Sequence, residues 1–106
     1  MTESKKKSIG IYVTSDRYLD DLILLCRAAK KKDVEISVFF THEGTRLSTD
    51  PRVDEIKELA NKVALCKVGF ESNQLDPAAA RVDEKGFASQ SWHAEMLYDC
   101  DRYLTF

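Results

Sequence analysis

Two short β-branched runs flank a segment whose apolar residues return every three or four positions. That change of period constrains the fold more than any other feature of the chain. The runs are Ser8 to Thr14 and Val34 to Thr41. Between them Leu19, Leu22, Ile23, Cys26 and Ala29 make one apolar face of a helix from about Arg17 to Lys32. Asp20 and Asp21 fall in its first turn and Lys30, Lys31 and Lys32 in its last, as the helix dipole favours. Thr14 to Asp16 supply the entry turn. The first run is almost continuously apolar, which suits a strand covered on both faces.

The alternation repeats. Asp50 and Pro51 read as the cap and first position of a second helix, with Val53, Ile56, Leu59, Ala60 and Val63 at helical spacing. The period then gives way to a third apolar run, Val63 to Cys66. Gly69 to Gln74 reads as a turn into a short helix that starts near Phe70. Asp76 and Pro77 open another helical piece, and Asp83 to Gly86 form a turn. A short fourth strand fits only near Gly86 to Ala88. Ser89 caps a last helix to about Asp99, with Trp92, Met96 and Cys100 inward, and Arg102 to Phe106 is the closing strand. His42 to Leu47 reads as a loop in which Gly44 is free to take a positive φ. Strands that alternate with helices require crossover connections, hence an α/β fold with a mainly parallel sheet. Residues 1–106 are long enough for one domain and too short for two.

Composition narrows the function. A net charge of −2, with both signs interspersed, disfavours a nucleic-acid surface. The basic run Lys5 to Lys7 reads as a solvated tail, residues 1–7. No apolar stretch approaches the roughly 20 residues of a membrane span, and the N-terminal residues lack the apolar core of a signal peptide. Three cysteines, Cys26, Cys66 and Cys100, are odd in number and widely spaced. They form neither a disulfide framework nor a zinc pattern, so reduced thiols in the cytoplasm are expected. The phosphate-binding glycine motifs and the GxSxG nucleophile elbow are absent. Strand three ends in Cys66 and Lys67, not in the acidic residue of a phospho-receiver. Asp20 with Asp21, and Asp99 with Asp101, read as cap and solvent-facing carboxylates.

Cys66 then stands out. Ligands and chemistry in α/β sheets gather beyond the carboxyl ends of the strands, and Cys66 lies at such an end. A thiolate is stabilised by cations and by backbone N–H groups at a helix start. Lys67 would supply the cation, and the turn at Gly69 the N–H groups. His42 and Arg46, in the loop after strand two, leave the same sheet edge and are candidates to border the site. His93 has no spacing that ties it to Cys66. Two readings of Cys66 stand at this point: a working thiol, or a small buried residue of the core. A peroxide-reducing enzyme would need a base or arginine beside the thiolate, and the sequence places none there.

The run Ile9 to Thr14, the amphipathic helix after it, the run Val34 to Thr41 with its glycine-containing loop, Val63 to Cys66, and the ending Asp99 to Phe106 together resemble the DsrE/DsrF-like family of small α/β proteins. The resemblance spans nearly the whole chain. It implies a three-layer sandwich of flavodoxin-related topology, with a five-stranded sheet between helices, and assembly into oligomers, here most simply a homo-oligomer. In sulfur-relay members a cysteine after the third strand carries a persulfide between a sulfur donor protein and an acceptor protein. Cys66 stands at the matching place, followed by Lys67 and Val68 where small residues are usual. The alternative is a non-catalytic oligomeric binding module with a structural cysteine. Neither reading calls for a cofactor or a metal, nor for a membrane or nucleic-acid partner.

Overall fold

A computed structural model describes residues 7–106. Five strands, β1 (Ser8–Val13), β2 (Glu35–Phe40), β3 (Lys62–Cys66), β4 (Phe87–Ala88) and β5 (Arg102–Thr105), form one sheet in the order β4-β3-β2-β1-β5. Every pairing is parallel. The helices are α1 (Leu19–Lys31), α2 (Val53–Leu59), α3 (Lys67–Ser72) and α4 (Gln90–Asp99). The expected three-layer α/β sandwich is thus the observed one.

The strand order explains the layers. From β1 to β4 the chain steps in one direction across the sheet, and right-handed crossovers put the intervening helices on one face. The connection from β4 to β5 returns past all the others, so α4 lands on the opposite face. Flavodoxin, with order 2-1-3-4-5, reverses beside β3; this chain reverses beside β5. The two faces are filled accordingly. On the first, Ile11, Val13, Ile36, Val38, Phe40 and Leu65 meet Leu19, Leu22, Ile23 and Cys26 of α1, Val53 and Ile56 of α2, and Phe70 of α3. On the second, Phe39, Ala64 and Cys66 meet Met96, with Tyr12, Ala88, Trp92 and Cys100 around them.

Local chemistry places several boundaries. The side chain of Asp50 accepts from the Arg52 N–H at 2.9 Å, so it caps a turn, and α2 proper begins at Val53. Ser89 caps α4 as expected, accepting from Ser91 N–H at 3.3 Å. The segment read as a loop, His42 to Leu47, lies within a 310 helix, His42–Thr49. Gly44 is not in the left-handed region there; the positive φ of 50° belongs to His42. Glycine at position 44 answers a close approach instead, because a Cβ would stand 2.1 Å from the carbonyl oxygen of Val13.

At the other end of the sheet, the carbonyl of Lys7 accepts from Glu35 N–H at 2.8 Å, tying that residue to β2. The rest of the expected tail, residues 1–6, lies outside the described residues. Among those residues no helix is long and apolar enough to cross a membrane.

Candidate functional site

β3 delivers Cys66 to the carboxyl edge of the sheet, where it pairs with Ala88 of β4. An alternating strand sends Cys66 and Ala64 to the same face, the one that α4 covers. The backbone of Cys66 is still extended, with φ −76° and ψ 116°, and the next residue is already helical. Cys66 is therefore the N-cap of α3. Its Sγ accepts the Gly69 N–H at 3.4 Å, one of the donors a helix start leaves unpaired. The helix begins three residues before the expected start near Phe70. The side chain sits among Phe39, Ala64 and Met96, and the residue is 6% exposed.

The other expected site residues divide. Gly69 touches the sulfur through its N–H and packs against the backbone of His42, where an added Cβ would come within 3.2 Å of the His42 nitrogen. His42 thus contributes main chain to this edge. Its carbonyl accepts from Thr45 Oγ1 and from Asn73 Nδ2, each at 2.9 Å, and its side chain is exposed. Arg46 is turned to other partners: Nε donates to Glu43 at 2.7 Å and the guanidinium donates to Asn73 Oδ1 at 3.2 Å. Lys67 is exposed and lines a groove with Phe70 and Phe87, whose side chains belong to the first face of the sheet. Of the four, Gly69 alone bonds to the sulfur.

His93 is likewise occupied elsewhere. Its Nε2 lies 2.6 Å from Tyr103 Oη, and its ring stacks on Tyr12 with centroids 3.8 Å apart. Burial lowers the His93 pKa and raises that of Tyr103. Both shifts favour neutral rings. The remaining thiols are held protonated. Desolvation, then the charge of Glu55, pushes Cys26 up to about 11. Burial raises Cys100, against the pull of hydrogen bonds with Ser37 and Ser8. All three cysteines are free. Among the described residues no three or more His, Cys, Asp or Glu side chains gather as metal ligands.

One feature of this edge was missed in the sequence. Gln90, the first residue of α4, bridges two strands: its Nε2 donates to Thr41 Oγ1 at 3.0 Å, and its Oε1 accepts from Tyr12 Oη at 3.3 Å. Thr41 immediately follows the β2 residue that pairs with Leu65, which places it beside Cys66 in the next row. Thr41 is 1% exposed, so the bond satisfies a buried hydroxyl. The signal was available: Thr41 directly follows β2 and Gln90 starts a helix, and a parallel sheet brings such positions to one edge.

The arrangement defines an all-parallel α/β sandwich with a capped thiol at its carboxyl edge. The chain matches no family model, and no curated protein matches it.

Proposed function

We propose that the protein is a sulfur-relay carrier of the DsrE/DsrF-like kind, with Cys66 as its working residue. The observation that carries this reading is the placement of the Cys66 sulfur at the exit of β3, with the Gly69 N–H directed at it. Backbone N–H groups at a helix start are suited to hold an anion. In the first step the Cys66 thiolate attacks the outer sulfur of a donor persulfide. The donor's S–S bond breaks, the donor leaves as a thiolate, and Cys66 holds Cys–S–S⁻. In the second step an acceptor thiolate attacks that outer sulfur, and Cys66 is released as a thiolate. Each step exchanges one S–S bond for another, so neither oxidant nor reductant is consumed. Free thiols in all three positions suit the reducing cytoplasm, where we place the protein.

We further propose that the carrier works as a homo-oligomer. Edge strand β5 is exposed along its length, and Leu97 and Tyr98 of α4 and Leu104 of β5 stand in solvent in the isolated chain. Sedimentation of the wild type against Tyr98→Glu tests this. A smaller species for the variant is expected; a wild-type monomer at high concentration overturns it.

A second reading has its own support. Cys66 is 94% covered and packs with Phe39, Ala64 and Met96, as a core residue of a non-catalytic binding module would. The two readings part on folded-state chemistry. The folded protein is treated with a polysulfide and its peptides are weighed. A gain of one sulfur on the Cys66 peptide, lost in Cys66→Ser, supports the relay. Modification of Cys66 only after denaturation overturns it in favour of the core residue.

A further inference from the structure

We propose that the groove between α3 and β4 docks an extended segment of a partner protein that carries a basic side chain two positions from a large apolar one. The groove encloses about 510 Å³, within the roughly 300–1,000 Å³ typical of ligand sites. Its floor is aromatic. Phe70 and Phe87 meet edge-to-face there with centroids 5.0 Å apart, and Val82 closes one end. Such a floor takes an aromatic or aliphatic side chain, and edge-to-face contacts add to simple burial.

The rim decides what accompanies that side chain. Glu71, Asp83 and Glu84 stand around the opening with a single cation, Lys67. Some carboxylates elsewhere are paired, Glu55 with Arg27, Asp54 with Arg81, and Asp50 with Arg52. On this rim, among the described residues, Lys67, Glu71 and Glu84 enter no ion pair, although Lys67 and Glu71 are one helical turn apart. An apolar floor with an acidic rim is complementary to an extended segment that is apolar and positively charged at alternate positions.

The sheet edge favours a protein segment over a compact ligand. The groove is lined by Phe87 of β4, a sheet-edge strand of two residues with one side unpaired. An extended chain running beside β4 would gain main-chain hydrogen bonds from that edge while its side chains reach the floor and rim. This docking role stands on the groove alone and does not depend on the chemistry of Cys66, whose side chain lies on the other face of the sheet.

The test is a titration of the isotopically labelled full chain, followed by amide shifts. One probe is a blocked pentapeptide, glycine-phenylalanine-serine-arginine-glycine; the other has glutamate in place of arginine. Saturable shifts confined to α3, the segment around Val82 to Glu84, and β4 are expected with the arginine peptide. They should weaken about threefold with each of Glu71→Gln and Glu84→Gln, the scale of an exposed charge pair. Glu95→Gln, on α4, should leave them unchanged. Glu84→Lys should narrow or reverse the preference between the two peptides. Absence of saturable shifts, equal binding of both peptides by the wild type, or equal shifts with free arginine amide each overturn the proposal.

Discussion

The two faces of the sheet are built to different standards. Among the described residues, sixteen buried side chains form the cluster on the face that α1, α2 and α3 cover, and four form the one under α4. The first face is aliphatic and dense, with Leu22, Ile36, Val38, Phe40 and Ile56 all at 0% exposure. The second is a row of flat rings. Trp92 stacks on Phe39 at 5.4 Å, Tyr12 on Phe39 at 6.1 Å, and His93 on Tyr12 at 3.8 Å. Its polar contacts, Gln90 to Thr41 and His93 to Tyr103, sit at the margins of that row. The cause is topological. Crossovers from β1 to β4 supply one face repeatedly, and a single return crossover supplies the other. In this molecule most of the buried apolar packing lies on one side of the sheet, and the stacked rings with their hydrogen bonds on the other.

The comparison can be broken most severely through glycine. A methyl group at Gly44 would meet the main-chain oxygen of Val13 at 2.1 Å, and backbone cannot move aside cheaply. Gly44→Ala should therefore cost more than about 3 kcal/mol in urea unfolding; a cost below about 1 kcal/mol would refute the rigid junction. Next in size is truncation of the cores themselves. Ile36→Ala on the first face should lose about 3–4 kcal/mol and Met96→Ala on the second about 2 kcal/mol. Equal losses would contradict the asymmetry.

The faces should also fail at opposite ends of the pH scale. Cys26 has its folded pKa raised from 9.0 to about 11, so the unfolded chain loses that proton first. Its contribution is complete below pH 9 and disappears as the pH rises toward 11, a change of about 2–3 kcal/mol. Cys26→Ala should lack that alkaline component in unfolding curves recorded across the interval. A methyl at Gly10, the second-face counterpart of Gly44, would meet the flexible Met96 side chain at 2.9 Å and Cys100 Sγ at 3.3 Å. Gly10→Ala should cost only about 1 kcal/mol, because that side chain can turn away.

The smallest effect belongs to His93. Its folded pKa lies below 6.5, so the unfolded chain binds the proton more readily and stability falls as the pH drops below 6.5. The difference in unfolding midpoint between about pH 7.5 and pH 5 should shrink in His93→Gln. An unchanged difference would remove His93 as the acid-sensitive group of the second face.

Much of the first face was legible in the sequence, because its signals are local. The period of Leu19, Leu22, Ile23, Cys26 and Ala29 names the buried side of α1, and all five are buried. The β-branched runs name β1 and β2 to within a residue or two. The 310 helix His42–Thr49 was illegible because it rests on distant partners: the Val13 backbone against Gly44, and Asn73 reaching His42 and Thr45. The early start of α3 was hidden for a related reason. Cysteine is not among the usual capping residues, and Val68 and Gly69 are poor helix formers; the cap bond to Cys66 exists only in three dimensions. At the candidate site, the position of Cys66 could be read from the strand pattern. The engagement of Arg46 with Glu43 and Asn73, and the bridge made by Gln90, required the fold.

The strand order also sets a timetable. β1 sits beside β2 after one short crossover, yet its other neighbour, β5, lies far along the chain: Ser8 and Asp101, which hydrogen-bond to each other, are 93 residues apart. Closing so large a loop is entropically demanding and slow compared with the stepwise pairing of β1 to β4. Until β5 pairs, the apolar strand Ile9 to Val13 keeps one edge open. A chain caught at that stage is the form most prone to sticking to another copy of itself.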